Sequence, residues 1–421
     1  MDAEALRKTR EHYNSHANLH EDREQALEAR RQGKALPLKS FHNAIKGKMI
    51  SRFAGHAEKL LDLACGRGGD IFKWAKAKIG YVKGIDLSPG EIREAQRRFE
   101  EFSSKRKKRA GSALRAEFVD SDQLGASEWR EPWQYDAITC MFAIHYFFVS
   151  QAALHRFMEN VSINLKEGGY FFGTFPSGKR VQEVIHRGGK WPLFKAPMLE
   201  LKALWKGDAS TFGSAYNCAI GDTVTAGKPT SCQGQAEGSY EYLVFNSTLL
   251  GVAAEHGLHA LTEWDDPELD ECFDEADRRK AVKHFHPNFP ATSDSSLSKA
   301  SSLFAAFAFQ KRSADKQPPA GSAAAKRSQP GEQVSAAQQD AKRARTETQQ
   351  QNGSSAGATP SQQDTLEGSS GAVEQTEQPG ADVTQPAGNE QAHAEPVPAQ
   401  APLYKRPKAR ARPANPEGGK G

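Results

Sequence analysis

Between residues 36 and 312 apolar positions fall into short dense runs separated by glycine and charged stretches, and past Arg312 they almost vanish. Leu60, Leu61 and Leu63 suit a buried parallel strand. Cys65-Gly66-Arg67-Gly68-Gly69 predicts a sharp turn, with a helix beginning near Asp70 and a second strand through Val82, Gly84 and Ile85 to Asp86. SPGEIREAQRRFEEF reads as a helix capped by Ser88 with Pro89 at its first position, and LRAEFVDSD as a third strand ending at Asp120 and Asp122. YDAITCMFAIHYFF predicts a fourth strand running into a turn, AALHRFMENVSINLKEGG an amphipathic helix ended by glycines, and GYFFGTF a fifth strand. The pattern weakens from Pro176 to about Tyr240, then gives strand, helix and strand over EYLVFNSTLLGVAAEHGLHALTEW and a closing strand in SLFAAFAFQKR. Ahead of these, Phe41, Ile45, Met49 and Phe53 recur at helical spacing in LPLKSFHNAIKGKMISRF, which leaves His42, Asn43 and Lys46 on adjoining faces. The alternation predicts an α/β fold, a doubly wound, mostly parallel sheet with ligands at the carboxyl ends of its strands.

Composition divides the chain. Residues 1–35, rich in Glu, Arg, Ala and Gln, predict a helical N-terminal arm, and residues 36–312 hold the globular domain. Residues 313–421, rich in Gln, Ala, Ser, Pro and Gly, cannot bury enough apolar surface to offset their ordering entropy and read as a disordered tail. The net charge of +4 conceals local basic runs. Lys105-Arg106-Lys107-Lys108-Arg109 reads as a solvated loop or an RNA-phosphate contact. The islands at Ala341–Arg345 and Tyr404–Arg412 read as nuclear-localisation signals, RNA tethers or solubilising charge. Five cysteines without a CxxC pair predict reduced thiols and no zinc site. The charged Met1–Arg10 segment gives no secretory signal, and the apolar run near Met141–Val149 is too short to span a bilayer.

The candidate chemistry begins at the glycine turn. Asp86 follows it by about twenty residues, the spacing at which a carboxylate holds both ribose hydroxyls of a nucleoside. A dinucleotide pyrophosphate needs a positive helix N-terminus, whereas here Asp62 and Asp70 flank the loop and suit the cationic S-adenosylmethionine better. A glycine turn alone would also serve another α/β protein. No Ser/His/Asp or Cys/His arrangement is evident in the sequence.

LDLACGRGGDIFKW, GIDLSPGEIREAQRRF, YDAITCMFAIHYFF and INLKEGGYFFGTFPSG together resemble the catalytic domain of eukaryotic mRNA cap guanine-N7 methyltransferases over roughly three quarters of the chain. The resemblance implies the class I S-adenosylmethionine-dependent methyltransferase fold with a small antiparallel insertion at about 176–240, and methyl transfer from S-adenosylmethionine to N7 of a GpppRNA cap. Guanine N7 keeps its lone pair at neutral pH, so no general base is required, and orientation of the two reactants can supply roughly 7–11 kcal/mol of the barrier. It further implies that Lys46 faces the methionine carboxylate, Ala64 and Gly66 the methionine and ribose, Asp86 the ribose hydroxyls and Asp122 the adenine amino group, with Met141 and Tyr146 lining the cofactor. On the cap side it implies His145 and Tyr146 at the base, Arg67 and Lys73 near the triphosphate, and His42, Asn43, Glu241 and Phe304 around the guanine. His12-Tyr13-Asn14 resembles a segment that precedes the family's core, although a solvated helix cap reads equally well. The partners implied are 5′-capped RNA, with capping enzyme, the RNA polymerase II machinery and nuclear import receptors as further candidates, for a monomeric nuclear protein that uses no membrane.

Several positions depart from the family pattern. His42 stands where Asn is usual, Ala64 replaces the first glycine of the turn, Met141 a Gln and Phe304 a Tyr, and no glutamate aligns near Gly221-Asp222. A buried guanine edge left without partners costs about 1–3 kcal/mol per group. Lys46 could equally be a surface lysine and Asp122 a helix cap. Two alternatives to the cap reading therefore remain: a methyltransferase of the same fold with a small-molecule or protein substrate, and a non-catalytic cap- or RNA-binding scaffold.

Overall fold

The computed structural model describes residues 3–17, 32–106, 114–188, 190–226 and 238–312. Helix α1 (Ala3–Ala17) is followed by α2 (Leu36–Ala54). Strand and helix then alternate through β1 (Lys59–Leu63), α3 (Ile71–Lys76), β2 (Tyr81–Asp86), α4 (Pro89–Arg106) and β3 (Arg115–Asp120). Next, β4 (Tyr135–Met141) runs through a short 3₁₀ turn at Ile144–Val149 into α5 (Gln151–Asn164), β5 (Leu165–Pro176) and α6 (Gly178–Arg187). Four short strands follow, β6 (Leu193–Ala196), β7 (Leu199–Ala203), β8 (Ala215–Ile220) and β9 (Ser239–Tyr242). The remaining elements are α7 (Asn246–Glu255), β10 (Leu258–Ala260), α8 (Pro267–Asp270), β11 (Val282–His284), α9 (Ser295–Ser302) and β12 (Phe304–Lys311).

The main sheet has the order β10-β12-β5-β4-β1-β2-β3, with β11 also paired to β12. β1 pairs in parallel with β2 and β4, β4 with β5 and β2 with β3, whereas β12 runs antiparallel to β5, β10 and β11. β1 and β4 lie at the centre, which explains why LLDL and DAITCM read as nearly continuous apolar runs. Because strand order reverses between β1 and β4, the carboxyl ends of β1, β2 and β4 open a crevice, where loops carry ligand-binding residues in such sheets. β6–β9 form a separate antiparallel sheet.

The alternation is as the sequence predicts, with several differences. The buried side of α2 runs through Leu38, His42, Ile45, Met49 and Phe53, so His42 lies on the packed face and not beside it. α5 ends at Asn164, and Leu165 already takes extended dihedrals. The glycines expected to end that helix serve β5: a Cβ at Gly169 would stand 2.9 Å from Asp136 O, close to the register shift between Tyr135 and Ala137. The first strand of EYLVF, β9, joins the antiparallel sheet, which therefore extends to Tyr242, just past the expected limit of about 240. β11 and the helices α6, α8 and α9 were not anticipated. The expected disordered tail, both its basic islands, Cys232 and most of the basic run after Lys105 lie outside the described residues.

Candidate active site

The turn after β1 is built from left-handed backbone: Ala64, Gly66 and Gly68 have φ of 65°, 52° and 66°. Gly66 and Gly68 adopt this without strain, whereas an alanine there costs roughly 1–2 kcal/mol. The turn aims the Gly66 N–H at Asp86, whose Oδ2 accepts it at 2.9 Å while Oδ1 accepts the Ser88 N–H at 2.9 Å. Burial raises the Asp86 carboxyl above its usual range, opposed by donation from the Ser88, Gly66 and Leu87 N–H groups. Asp62, deeper in β1, accepts a hydrogen bond from Thr139 Oγ1 at 2.7 Å, and burial pushes its carboxyl up to about 7, with Asp70 adding to the rise.

Asp70 stands before α3 between two ammonium groups, Lys46 Nζ at 2.6 Å and Lys73 Nζ at 2.7 Å. Burial acts to raise this carboxyl, but the two lysines outweigh burial and hold it below the usual range. This amends the charge argument made from sequence: Asp70 is matched by two cations, so the turn's entrance is not a bare negative site. Lys73 Nζ also donates to Asn43 Oδ1 at 2.9 Å, and Arg67 Nε donates to Glu91 Oε1 at 2.8 Å. Lys46, Asn43, Arg67, Lys73, Gly66 and Asp86 are thus brought together around the one turn. Asp122 is set apart: it is no helix cap, and its exposed Oδ2 pairs with Arg10 Nη2 of α1 at 3.1 Å.

The other half of the site is aromatic. His145, only 3% exposed, has neither ring nitrogen hydrogen-bonded, and burial pushes its pKa down to about 3, so it is a neutral imidazole at working pH. Its ring centroid lies 4.1 Å from that of Tyr146. Two unpaired buried ring nitrogens cost free energy unless a ligand supplies their partners. His42 stacks on Phe142 with centroids 5.3 Å apart, meets Phe285 and Phe304 edge-on, and shares a hydrogen bond with Ser301 Oγ at 3.0 Å. Burial, with Lys46 adding to it, pushes its pKa down to about 3 as well. His42 and Phe304, the two departures at the cap, therefore pack against each other. Met141, at the end of β4, is buried. Glu241 on β9 accepts from Tyr216 OH at 2.7 Å and Ser239 Oγ at 2.6 Å, and burial pushes its carboxyl up to about 7.

The N-terminal arm contributes residues to which sequence reading assigned no role. Tyr13 OH shares a 2.6 Å hydrogen bond with Tyr146 OH, Ser88 Oγ donates to Asn14 Oδ1 at 2.6 Å, and His12 Nε2 lies 2.9 Å from Val224 O. His12-Tyr13-Asn14 is therefore no solvated cap: α1 touches both the Asp86 loop and the aromatic half. The signal was present in the motif, but its partners lie 74 to 212 residues away. A Ser/His/Asp series also exists: Ser177 Oγ lies 3.1 Å from His284 Nε2, and His284 Nδ1 2.6 Å from Asp277 Oδ2. It cannot act as a nucleophile. Ser177 is fully buried, and the N–H groups of Ser177 and Gly178 are committed to Leu303 O and Val244 O, which leaves no oxyanion donors there. Among the described residues no group of three or more potential ligands could hold a metal ion, and no helix is long and apolar enough to cross a membrane.

Residues 2–312 match the family model of the mRNA (guanine-N(7))-methyltransferase domain. The chain belongs to this family. Its fold is accordingly of the class I S-adenosylmethionine-dependent methyltransferase type, with the reversed β12 inserted beside β5. The chain is similar to mRNA cap guanine-N(7) methyltransferase 1 of Oryza sativa subsp. japonica, at 33% identity over 186 residues covering 43% of this chain and 49% of that one. It is also similar to mRNA cap guanine-N(7) methyltransferase 1 of Arabidopsis thaliana, at 34% identity over 173 residues covering 40% and 45%. The chain thus spans about half the length of the curated relatives it matches. A solved S-adenosylmethionine-dependent methyltransferase from Clostridium acetobutylicum shares 13% identity over 65% of this chain and 92% of that one, with a TM-score of 0.41.

Proposed function

We propose that the protein transfers a methyl group from S-adenosylmethionine to N7 of the guanine cap of GpppRNA. Alongside the family match, the observation that carries this reading is His145: a neutral, buried imidazole beside Tyr146 whose ring nitrogens have no hydrogen-bond partner among the described residues. Burying such a group is costly in the free protein, and a planar base bearing donors and acceptors is the ligand chemistry that would offset it.

The residues fit the cofactor. A carboxylate has about four acceptor positions, and donation from the Gly66, Ser88 and Leu87 N–H groups leaves Asp86 capacity for a ribose hydroxyl. Lys46, anchored on Asp70, can turn its remaining donors to a carboxylate, while Ala64, Gly66, Met141 and Tyr146 line the same crevice; for Asp122 to reach an adenine amino group it has to turn from its exposed pairing with Arg10. The cofactor supplies an electrophilic methyl on a sulfonium. On the protein's side, His145 and Tyr146 hold the guanine, Arg67 and Lys73 meet the triphosphate, and the ionised Glu241 accepts from the guanine's N–H edge. His42, Asn43 and Phe304 shape the wall behind. No residue has to remove a proton from N7, so the protein's contribution is orientation.

The substrate is then 5′-capped RNA, and a nuclear location with import receptors and the capping or transcription machinery as partners follows from that role and from the tail's basic islands. Purified protein with labelled S-adenosylmethionine is expected to methylate GpppRNA but neither ApppRNA nor uncapped triphosphate RNA. Binding of GpppG without transfer would favour the scaffold, and transfer to none of these with the cofactor still bound would favour another substrate.

A further inference from the structure

Phe72 is 73% exposed, more than any other large apolar side chain among the described residues, nearly all of whose other phenylalanines are buried or half-buried. It lies in the first turn of α3 next to Lys73 and points away from the core. Its ring is braced edge-on by Phe102 of α4, with centroids 5.1 Å apart, and Phe102 in turn stacks on Phe99. Lys76, one helical turn further along α3 and so on the same side as Phe72, is exposed and makes no ion pair among the described residues. Gly69 opens onto space: a Cβ there would meet no atom within 4 Å. The exposed apolar area is one ring wide with the exposed Lys76 on its side, which suits a single flat base with its phosphate and is too small for a protein helix or strand.

Position supplies the second half of the argument. Lys73, assigned above to the cap triphosphate, is the next residue after Phe72, and Arg67, assigned to the same group, is tied to Glu91 in the first turn of α4. From Glu91 to Phe102 the helix rises about 16 Å. A polynucleotide leaving the triphosphate along α3 and α4 therefore meets an exposed ring with a lysine beside it.

We propose that Phe72, backed by Phe102, flanked by Lys76 and adjacent in sequence to Lys73, is the stacking platform for the first transcribed nucleotides of the capped RNA. The proposal rests on the cap reading and deepens it by giving the RNA body its own subsite. Stacking on an aromatic ring is tolerant of sequence, as a cap enzyme acting on many transcripts requires, and the lysines add a salt-dependent contribution from phosphate.

The test compares two ligands in equilibrium binding to the full chain: GTP, which has guanine and triphosphate but no following nucleotide, and a capped RNA five nucleotides long. The wild-type protein is expected to bind the capped RNA more tightly than GTP by roughly fivefold to a hundredfold, the range of one base–aromatic stack. Phe72→Ala should bring the capped RNA close to the level of GTP while leaving GTP unchanged, Phe72→Trp should retain the preference, and Lys76→Ala should flatten its salt dependence. Equal loss for both ligands would make Phe72 structural and overturn the proposal. So would an unchanged preference in Phe72→Ala, which would leave the ring to a protein partner or to solvent, and so would a wild-type protein that does not distinguish the two ligands. Failure of the cap reading shows differently: no methyl transfer to either ligand, with the Phe72-dependent RNA preference intact.

Discussion

The two halves of the crevice are built on opposite plans. Around the glycine turn each acid already has its partner within the protein: Asp86 the Gly66 and Ser88 N–H groups, Asp70 the two lysines, and Asp62 the Thr139 hydroxyl. That half is organised before any ligand arrives. In the aromatic half the ring nitrogens of His145 have no hydrogen-bond partner among the described residues, and Glu241 is held there by two hydroxyls and no cation. One half is set to receive a constant ligand at low reorganisation cost. The other stores an unmet hydrogen-bonding demand, which on the proposed reading the cap base satisfies, and such a demand is how a site rejects an analogue lacking the matching groups. Tyr13 joins the two halves by bonding to Tyr146 while its neighbour Asn14 takes the Ser88 hydroxyl.

The division can be broken from the cofactor side with the largest effect. Asp86→Ala should lower S-adenosylhomocysteine affinity by about a hundredfold or more in calorimetry, since it removes two charge-assisted acceptors and releases the Gly66 N–H, yet leave the fold intact because Asp86 lies at a strand end. Unchanged affinity would remove Asp86 from the site.

A smaller effect sharpens the guanine side. On the proposed reading Glu241 accepts from guanine only when ionised, and burial pushes its carboxyl up to about 7, so cap-analogue affinity should rise by several fold between pH 6 and pH 8. Stability has the opposite sign. The folded pKa lies above the unfolded value of about 4.3, so the folded state binds more protons between the two, and this group's contribution falls as pH rises from about 4 through 7. Glu241→Gln should flatten both profiles in titration and thermal melts, and an undiminished rise in affinity would assign it to another group.

The smallest effect tests the turn itself. Ala64 holds a φ of 65° that glycine adopts freely, so Ala64→Gly should stabilise the protein by up to about 1 kcal/mol after the entropy cost of glycine, with cofactor affinity little changed. A destabilised variant in chemical denaturation would mean that the alanine methyl is packed and not strained.

The two halves also differed in how much the chain betrayed of them. Gly66 and Asp86, joined by a hydrogen bond, lie 20 residues apart within one strand-turn-helix-strand unit, so spacing alone singled out Asp86 beside the turn, though not the bond itself. The doubly wound order was legible for the same reason, each strand and its crossover being contiguous. The aromatic half draws His42, Phe142, Phe285 and Phe304 from distant segments, and helical spacing placed His42 on the wrong side of α2 because nothing local reveals the rings that close over it. Only the family resemblance pointed to His145. β11 is three residues long and exists through its pairing with β12, a contact no periodicity announces. Asp70 was read as a lone charge because Lys46, which neutralises it with Lys73, comes from a separate helix.

The separability of the two halves is the central claim, and His145→Ala tests it in one protein. With S-adenosylhomocysteine affinity and methyl transfer to GpppRNA measured side by side, the variant should keep its cofactor affinity within about twofold of wild type. Its kcat/KM for GpppRNA should fall by a hundredfold or so, as loss of base orientation requires. Equal losses in both measurements would contradict the account by placing His145 on the cofactor side, and no loss in either would mean that its unpaired nitrogens face no ligand.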